Sequence, residues 1–213
     1  TSKKSSRCAT ISRSSTSVCL STQAGCGLGC VFCATARLGL RRSLRAGEIV
    51  GQVHAVRKHL TESGDARRIS NLVYMGMGEP LVNLRGTLDS LAILLDPQGV
   101  DLSSRRITVS TAGVVPGIER LGASGLGVNL AVSLNATTQA VREQLMPIAR
   151  TYPLDRLMAA LRAFPLQPRR RITFEYVLLA GVNDTDADAR RLPQLIAGLP
   201  AKINLIPWNG VEG

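Results

Sequence analysis

No cysteine follows Cys33 in this chain of 213 residues, and the only histidines are His54 and His59. A structural zinc site would draw a fourth ligand from a second Cys or His pair further on, and that pair is missing. Aromatic residues make up 3% of the chain, so a core drawn from its 45% apolar content must be mostly aliphatic. No run of about 18 apolar residues occurs, so no membrane-spanning helix is expected. Residues 1–17 are rich in Ser, Thr, Lys and Arg and hold no apolar stretch of the kind a secretory signal needs. Acid is also missing early on, with no Asp or Glu before Glu48.

What is present is concentrated in Cys26-Gly-Leu-Gly-Cys30-Val-Phe-Cys33, three thiols within eight residues. Gly25, Gly27 and Gly29 surround them, and glycine permits the tight turns that would aim all three sulfurs at one centre. Three soft ligands without a fourth suit an iron–sulfur cluster that keeps one iron open for a substrate or cofactor. The plainer alternatives are three cysteines buried in a Gly-rich turn or a disulfide pair. The latter sits poorly with a chain that otherwise reads as belonging to a reducing, cytoplasmic compartment.

The formal charge is +11, from 26 basic and 15 acidic residues. Such a balance favours a polyanionic partner, and RNA phosphate is the obvious one. Basic residues cluster at Arg37–Arg45, Arg67-Arg68, Arg105-Arg106 and Arg169-Arg170-Arg171. The triplet reads equally as a phosphate grip or as a solvated loop. No basic amphipathic helix suggests a membrane surface. His54 and His59, five apart on an expected helix, read as surface residues.

Residues 1–16 read as a basic polar leader and 17–213 as one domain of ordinary size. Apolar spacing predicts strands at 17–23, 69–75, 106–110, 128–134, 171–179 and 202–206. Helices are predicted at 46–61, 84–95, 115–121, 137–146, 154–164 and 184–199. About six strands alternating with helices predict an α/β fold with a parallel sheet. Six units are too few for an eight-fold barrel. In parallel barrels chemistry gathers at the C-terminal ends of strands. The cysteine loop, Gly76-Met77-Gly78-Glu79-Pro80, Ser110-Thr111, Ser133-Leu134-Asn135 and Pro207-Trp208-Asn209 each follow or close such a strand.

The Cys-x3-Cys-x2-Cys spacing and the wider string from Val18 through Cys26 to Phe32-Cys33-Ala34-Thr35 resemble the radical S-adenosylmethionine (SAM) enzymes. Within them the string is similar to the 23S rRNA (adenine-C2)-methyltransferases and their C8-methylating relatives. The resemblance implies a partial (β/α)6 barrel and a 4Fe-4S cluster on Cys26, Cys30 and Cys33, with SAM on the remaining iron. It maps SAM contacts onto Gly78, Glu79, Ser110, Ser133, Leu134, Asn135 and Asn209. Many relatives carry His where this chain has Asn135, and Asn keeps both donor and acceptor capacity. Cys19 matches the thiol that resolves a covalent enzyme–RNA intermediate, whereas Cys8 matches nothing.

The resemblance further implies methyl transfer to an adenine of 23S rRNA or tRNA, an external electron donor such as flavodoxin, no membrane, and a cytoplasmic location. The family's methyl-carrying cysteine lies beyond the Pro-Trp-Asn stretch, and its proton-accepting Glu lies upstream of the cluster. Neither has a match in this sequence, which therefore reads as a truncated or divergent catalytic core. Two other readings stay open: a radical SAM enzyme on another substrate, and a non-catalytic cluster-bearing RNA binder.

Overall fold

The computed structural model describes residues 11–12 and 15–209. Strand β1 (Ile11–Ser12) pairs antiparallel with β2 (Ser15–Cys19). Next comes a separate two-stranded hairpin, β3 (Gln23–Gly25) with β4 (Leu40–Ser43), carrying helix α1 (Ala34–Arg37) in its connection. The chain continues through α2 (Ala46–Glu62), β5 (Arg68–Tyr74), α3 (Leu84–Leu95), a 3-10 turn at Ser104–Arg106, β6 (Ile107–Thr111) and α4 (Val115–Ala123). It ends with β7 (Asn129–Ser133), α5 (Gln139–Leu145), α6 (Ile148–Thr151), α7 (Leu154–Ala163), β8 (Ile172–Leu178), α8 (Asp186–Leu195) and β9 (Ala201–Pro207).

The main sheet runs β1-β2-β5-β6-β7-β8-β9, and every pairing from β2 to β9 is parallel. β1 and β9 are its two edges, so six parallel strands curl into an open half-barrel, the α/β partial barrel expected. Parallel strands covered by crossover helices read as apolar runs. β7 shows this best, with Leu130, Ala131 and Val132 all fully buried. Helix faces close over the sheet through Ile49 and Val53 of α2, Leu91 and Leu94 of α3, Ile118 of α4, and Leu157 and Leu161 of α7. Each such side chain contributes about 1.5–3 kcal/mol on burial. The core is aliphatic apart from Tyr74, Phe174 and Tyr176.

Helix starts follow local chemistry. Glu48 accepts the Arg45 backbone N–H at 2.8 Å in the first turn of α2, Thr138 caps α5 and Thr185 caps α8. Pro116 sits in the first turn of α4, where its missing N–H costs nothing.

Three expectations need correction. The strand expected over 17–23 starts at Ser15 and stops at Cys19, because the chain then turns away: the Thr22 and Gln23 N–H groups both donate to Met77 O. That turn launches the β3–β4 hairpin, which apolar periodicity did not reveal. Part of the expected leader is ordered into β1 and β2; the rest of residues 1–14, Cys8 included, lies outside the described residues. The helix expected over 184–199 spans only α8.

Candidate active site at the strand C-terminal rim

Gly25 sets the cysteine loop. It adopts φ +86°, and a Cβ there would lie 1.8 Å from the Gly39 carbonyl oxygen across the hairpin. The next N–H, of Cys26, donates to that same oxygen at 3.0 Å. Further along, the Val31 N–H donates to Leu145 O at 3.0 Å, pinning the loop to the end of α5, and the Cys33 N–H closes a turn on Cys30 O at 3.2 Å. Cys26, Cys30 and Cys33 are half-buried, unlinked thiols. Burial pushes the Cys30 thiol up to about 12, with its neighbours Cys33 and Cys26 adding to the rise. Burial also raises Cys26, opposed by a backbone hydrogen bond at Leu28.

Among the described residues no three His, Cys, Asp or Glu side chains converge closely enough to hold one metal ion. One zinc would draw its sulfurs to within about 4 Å of one another, given zinc–sulfur bonds of about 2.3 Å. Cysteines that each hold a different iron of a cluster need no such convergence. Three thiolate donors on one loop are a donor set that suits an iron–sulfur cluster.

Beside this loop, the β5 strand end turns through Gly76–Pro80. Gly78 takes φ +95°, and a Cβ there would strike the Gln23 side chain at 2.4 Å. Gln23 Oε1 accepts the Glu79 N–H at 2.9 Å, and its amide donates to Ser43 Oγ at 3.2 Å. Glu79 is buried. Its Oε1 accepts the Leu81 N–H at 3.0 Å and its Oε2 the Ala112 N–H at 2.7 Å, tying the β5 rim to the β6 rim. Burial raises the Glu79 carboxyl, and these donors with the Thr111 hydroxyl hold it back.

The strand register sets the remaining expected contacts along the same rim. Ser110 pairs with Ala131, and Ser133, the last residue of β7, pairs with Glu175; both are half-buried. Leu134 is fully buried. Asn135, at φ +56°, turns its side chain into the fold: Oδ1 accepts the Val177 N–H at 2.9 Å and Nδ2 reaches Met146 Sδ at 3.3 Å. Cys19 closes β2, paired with Val73. Asn209 follows β9 and is exposed, beyond β8 from the rest of the group. Val31, Met75 and Met77 present exposed apolar surface nearby. His54 and His59 are exposed on α2, away from the cysteines in sequence and element.

Sequence reasoning missed three residues that build this rim. Gln23 supports Gly78 and Glu79 from below. Asn183 donates to Asn135 O at 2.8 Å and to Val177 O at 2.7 Å. Arg142, on α5, is fully buried; its Nε donates to Leu134 O at 3.2 Å and its Nη2 to Ala112 O at 2.7 Å. Burial pulls its guanidinium down to about 10, against the pull of Cys30. The signal for Arg142 was its place on α5, one turn before the apolar Leu145 and Met146, where a solvated side chain does not belong.

A second feature lies at the opposite rim, where β6–β9 begin. A cavity of about 500 Å³ is lined by Arg105, Arg169, Arg170, Arg171 and Lys202, with no acidic side chain. Arg170 is a strut there, bonded to Ser104 Oγ at 3.1 Å, Asn129 Oδ1 at 3.3 Å and the Gly127 carbonyl. Arg169 and Arg171 are exposed.

Comparison with known proteins agrees with this geometry. The model of the radical SAM superfamily matches residues 20–192. Curated relatives named dual-specificity RNA methyltransferase RlmN include those of Solidesulfovibrio magneticus, 55% identical over 92% of this chain, and of Sorangium cellulosum, 56% identical over 91%. The chain spans about half the length of these relatives, 55% and 49% respectively. A crystal structure of a radical SAM methyltransferase from Sphaerobacter thermophilus superposes with a TM-score of 0.90 at 46% identity, covering 96% of this chain and 60% of that one. HydG, a maturase of the [FeFe]-hydrogenase, shares the fold alone, with a TM-score of 0.59 at 17% identity over 92% of this chain and 44% of its own. With the family model running from just after β2 into α8, across the cysteine loop and four of the six parallel strands, the chain belongs to the radical SAM superfamily.

Proposed function

We propose that this chain is the catalytic core of a radical SAM RNA methyltransferase that transfers a methyl group from SAM to C2 of an adenine in 23S rRNA, with tRNA as a second substrate. The observation that carries the reading is the gathering of the cysteine loop, the Gly78-Glu79 turn and the ends of β6 and β7 on one rim. The curated relatives' name supports the RNA part.

Cys26, Cys30 and Cys33 would hold the 4Fe-4S cluster. When bound, the cluster and SAM supply the one-electron reductive cleavage with which the superfamily begins its reactions. The chain's own work is placement. Gly78 leaves backbone exposed where a side chain could not fit, beside the Glu79 carboxylate, and together they suit the ammonium of a methionine moiety. Ser110 and Ser133 add hydroxyls along the same rim, while Leu134 and Asn135 shape its floor. Asn209 would close the far side. Cys19, at the end of β2, would be the thiol that releases product from a covalent intermediate. The adenine must come from a loop or be unstacked to offer its edge. The basic cavity supports a polyanionic substrate. An external donor such as flavodoxin would supply the electron. Among the described residues no helix is long and apolar enough to cross a membrane.

The test is an anaerobic incubation of the reconstituted protein with SAM, reductant and a 23S rRNA fragment, followed by nucleoside mass spectrometry. The reading expects 5′-deoxyadenosine from SAM and, once the chain is extended with the C-terminal segment of a curated relative that supplies the methyl-carrying cysteine, 2-methyladenosine in the RNA. SAM cleavage by that extended protein without any methylated nucleoside in rRNA or tRNA would move the enzyme to another substrate.

A further inference from the structure

We propose that Arg142 is the fixed counter-cation of the cluster site, with its Nη1 serving as the donor that meets the Cys30-bound anion. The inference rests on the reading of Cys30 as a cluster ligand.

Arg142 heads the fully buried side chains when these are ranked by volume. Two edges of its guanidinium are spent on backbone: Nε on Leu134 O, and Nη2 on Ala112 O and, at 3.4 Å, Ser133 O. Those carbonyls close β6 and β7, so the charge sits on the strand ends. Gly113, at φ +104°, makes the room, since a Cβ there would lie 3.0 Å from Nη2. The third edge is idle. Nη1 is buried and has no hydrogen-bond partner among the described residues. None of the ion pairs among those residues includes Arg142 either.

A buried guanidinium without an anion is strongly unfavourable, and a buried donor without an acceptor adds its own desolvation cost. Something anionic must therefore arrive. Cys30 packs against the cluster formed by Ala112, Leu145, Met146 and Leu179, in which Leu145 and Met146 close α5 one turn beyond Arg142. The Val31 N–H bond to Leu145 O fixes the loop to that helix. Three thiolates outweigh the positive charge of an iron–sulfur core, so the assembled cluster is anionic, and reduction makes it more so. A fixed cation and donor beside it stabilise the reduced form and raise its potential. Arginine suits the position where lysine would not, because one planar fork holds two strand carbonyls and still keeps a spare donor.

The experiment compares the whole protein with Arg142→Met and Arg142→Lys, each with and without an anaerobically reconstituted cluster. Three quantities are read: iron lost to a chelator, the cluster's midpoint potential by EPR-monitored titration, and urea stability of the iron-free protein. Arg142→Met should lose iron about tenfold faster or more, the scale of outer-shell effects on metal sites. Its midpoint should shift downward, with Arg142→Lys in between. The iron-free Arg142→Met protein should be at least as stable as wild type, because an uncompensated charge has gone. An unchanged midpoint and iron retention in Arg142→Met would overturn the inference, as would a change confined to SAM affinity, which would place the SAM carboxylate on Nη1. A large loss of stability in iron-free Arg142→Met, restored by Arg142→Lys, would make Arg142 a strut for the strand ends and also overturn it. If wild type itself takes up no cluster, the failure lies with the proposed function instead.

Discussion

Gly25 offers the sharpest test at the scale of one residue. Its φ of +86° and the 1.8 Å approach of a hypothetical Cβ to Gly39 O leave no room for a side chain. Gly27, two positions on, has no such constraint: a Cβ there would meet Leu40 Cβ at 3.5 Å, an ordinary contact. Gly25→Ala should therefore cost about 2 kcal/mol or more, as strained backbone and steric overlap do. The loss should fall on the hairpin, which lies outside the main sheet. Circular dichroism should stay near wild type while reconstituted iron content collapses; Gly27→Ala should keep both. A Gly25→Ala protein with full iron content would contradict the assigned geometry. The cysteine trio was legible from spacing, because short spacers between like ligands leave few other uses. Arg142 and Asn183 were not legible, since their roles depend on carbonyls brought to them by strands far away in sequence.

At the scale of elements, α8 is held to the rim by an acid-dependent latch. Asp188 accepts from Thr185 Oγ1 at 2.6 Å, from Arg191 Nη2 at 2.6 Å and from the Thr137 hydroxyl, just past the Asn135 turn. Burial alone would raise its carboxyl, but these hydrogen bonds outweigh burial and hold it at about 2. Its folded value lies below the ordinary range of about 3.9. The latch is thus fully present above that range and is lost as pH falls through 2. Asp188→Asn should lower stability at neutral pH by about 1–3 kcal/mol. In urea titrations run from pH 7 down to pH 2, the gap between variant and wild type should shrink steadily; a gap that persists at pH 2 would refute the latch.

Most elements were legible because parallel strands and their covering helices carry strong apolar signals, as in β7 and α3. The β3–β4 hairpin carries none: its strands read Gln-Ala-Gly and Leu-Arg-Arg-Ser, and β4 is exposed throughout. Its pairing is dictated by the cysteine loop it must carry, a constraint with no periodicity. Between Pro147 and Pro153, α6 is four residues long and too short to announce itself.

Across the whole molecule, the half-barrel separates two kinds of chemistry. Thiols and small polar groups occupy the C-terminal rim, while the uncompensated cations Arg105, Arg169, Arg171 and Lys202 crowd the N-terminal one. If the cavity takes RNA phosphates, each lost contact lowers the salt dependence of binding by about one unit of slope. Arg169→Ser with Arg171→Ser should therefore weaken RNA binding at low salt and reduce the slope of log K against log salt by about 2. Filter binding across a salt series measures both; an unaltered slope would remove the cavity from the RNA path.

The central claim is that three thiols of one hairpin hold a 4Fe-4S cluster whose remaining iron takes SAM. EPR of the anaerobically reconstituted, reduced protein, recorded before and after adding SAM, addresses it most directly. The account predicts a 4Fe-4S signal whose line shape changes when SAM binds, and no such signal from Cys30→Ala. A colourless wild-type protein that binds zinc in place of iron, or a cluster signal indifferent to SAM, would contradict it.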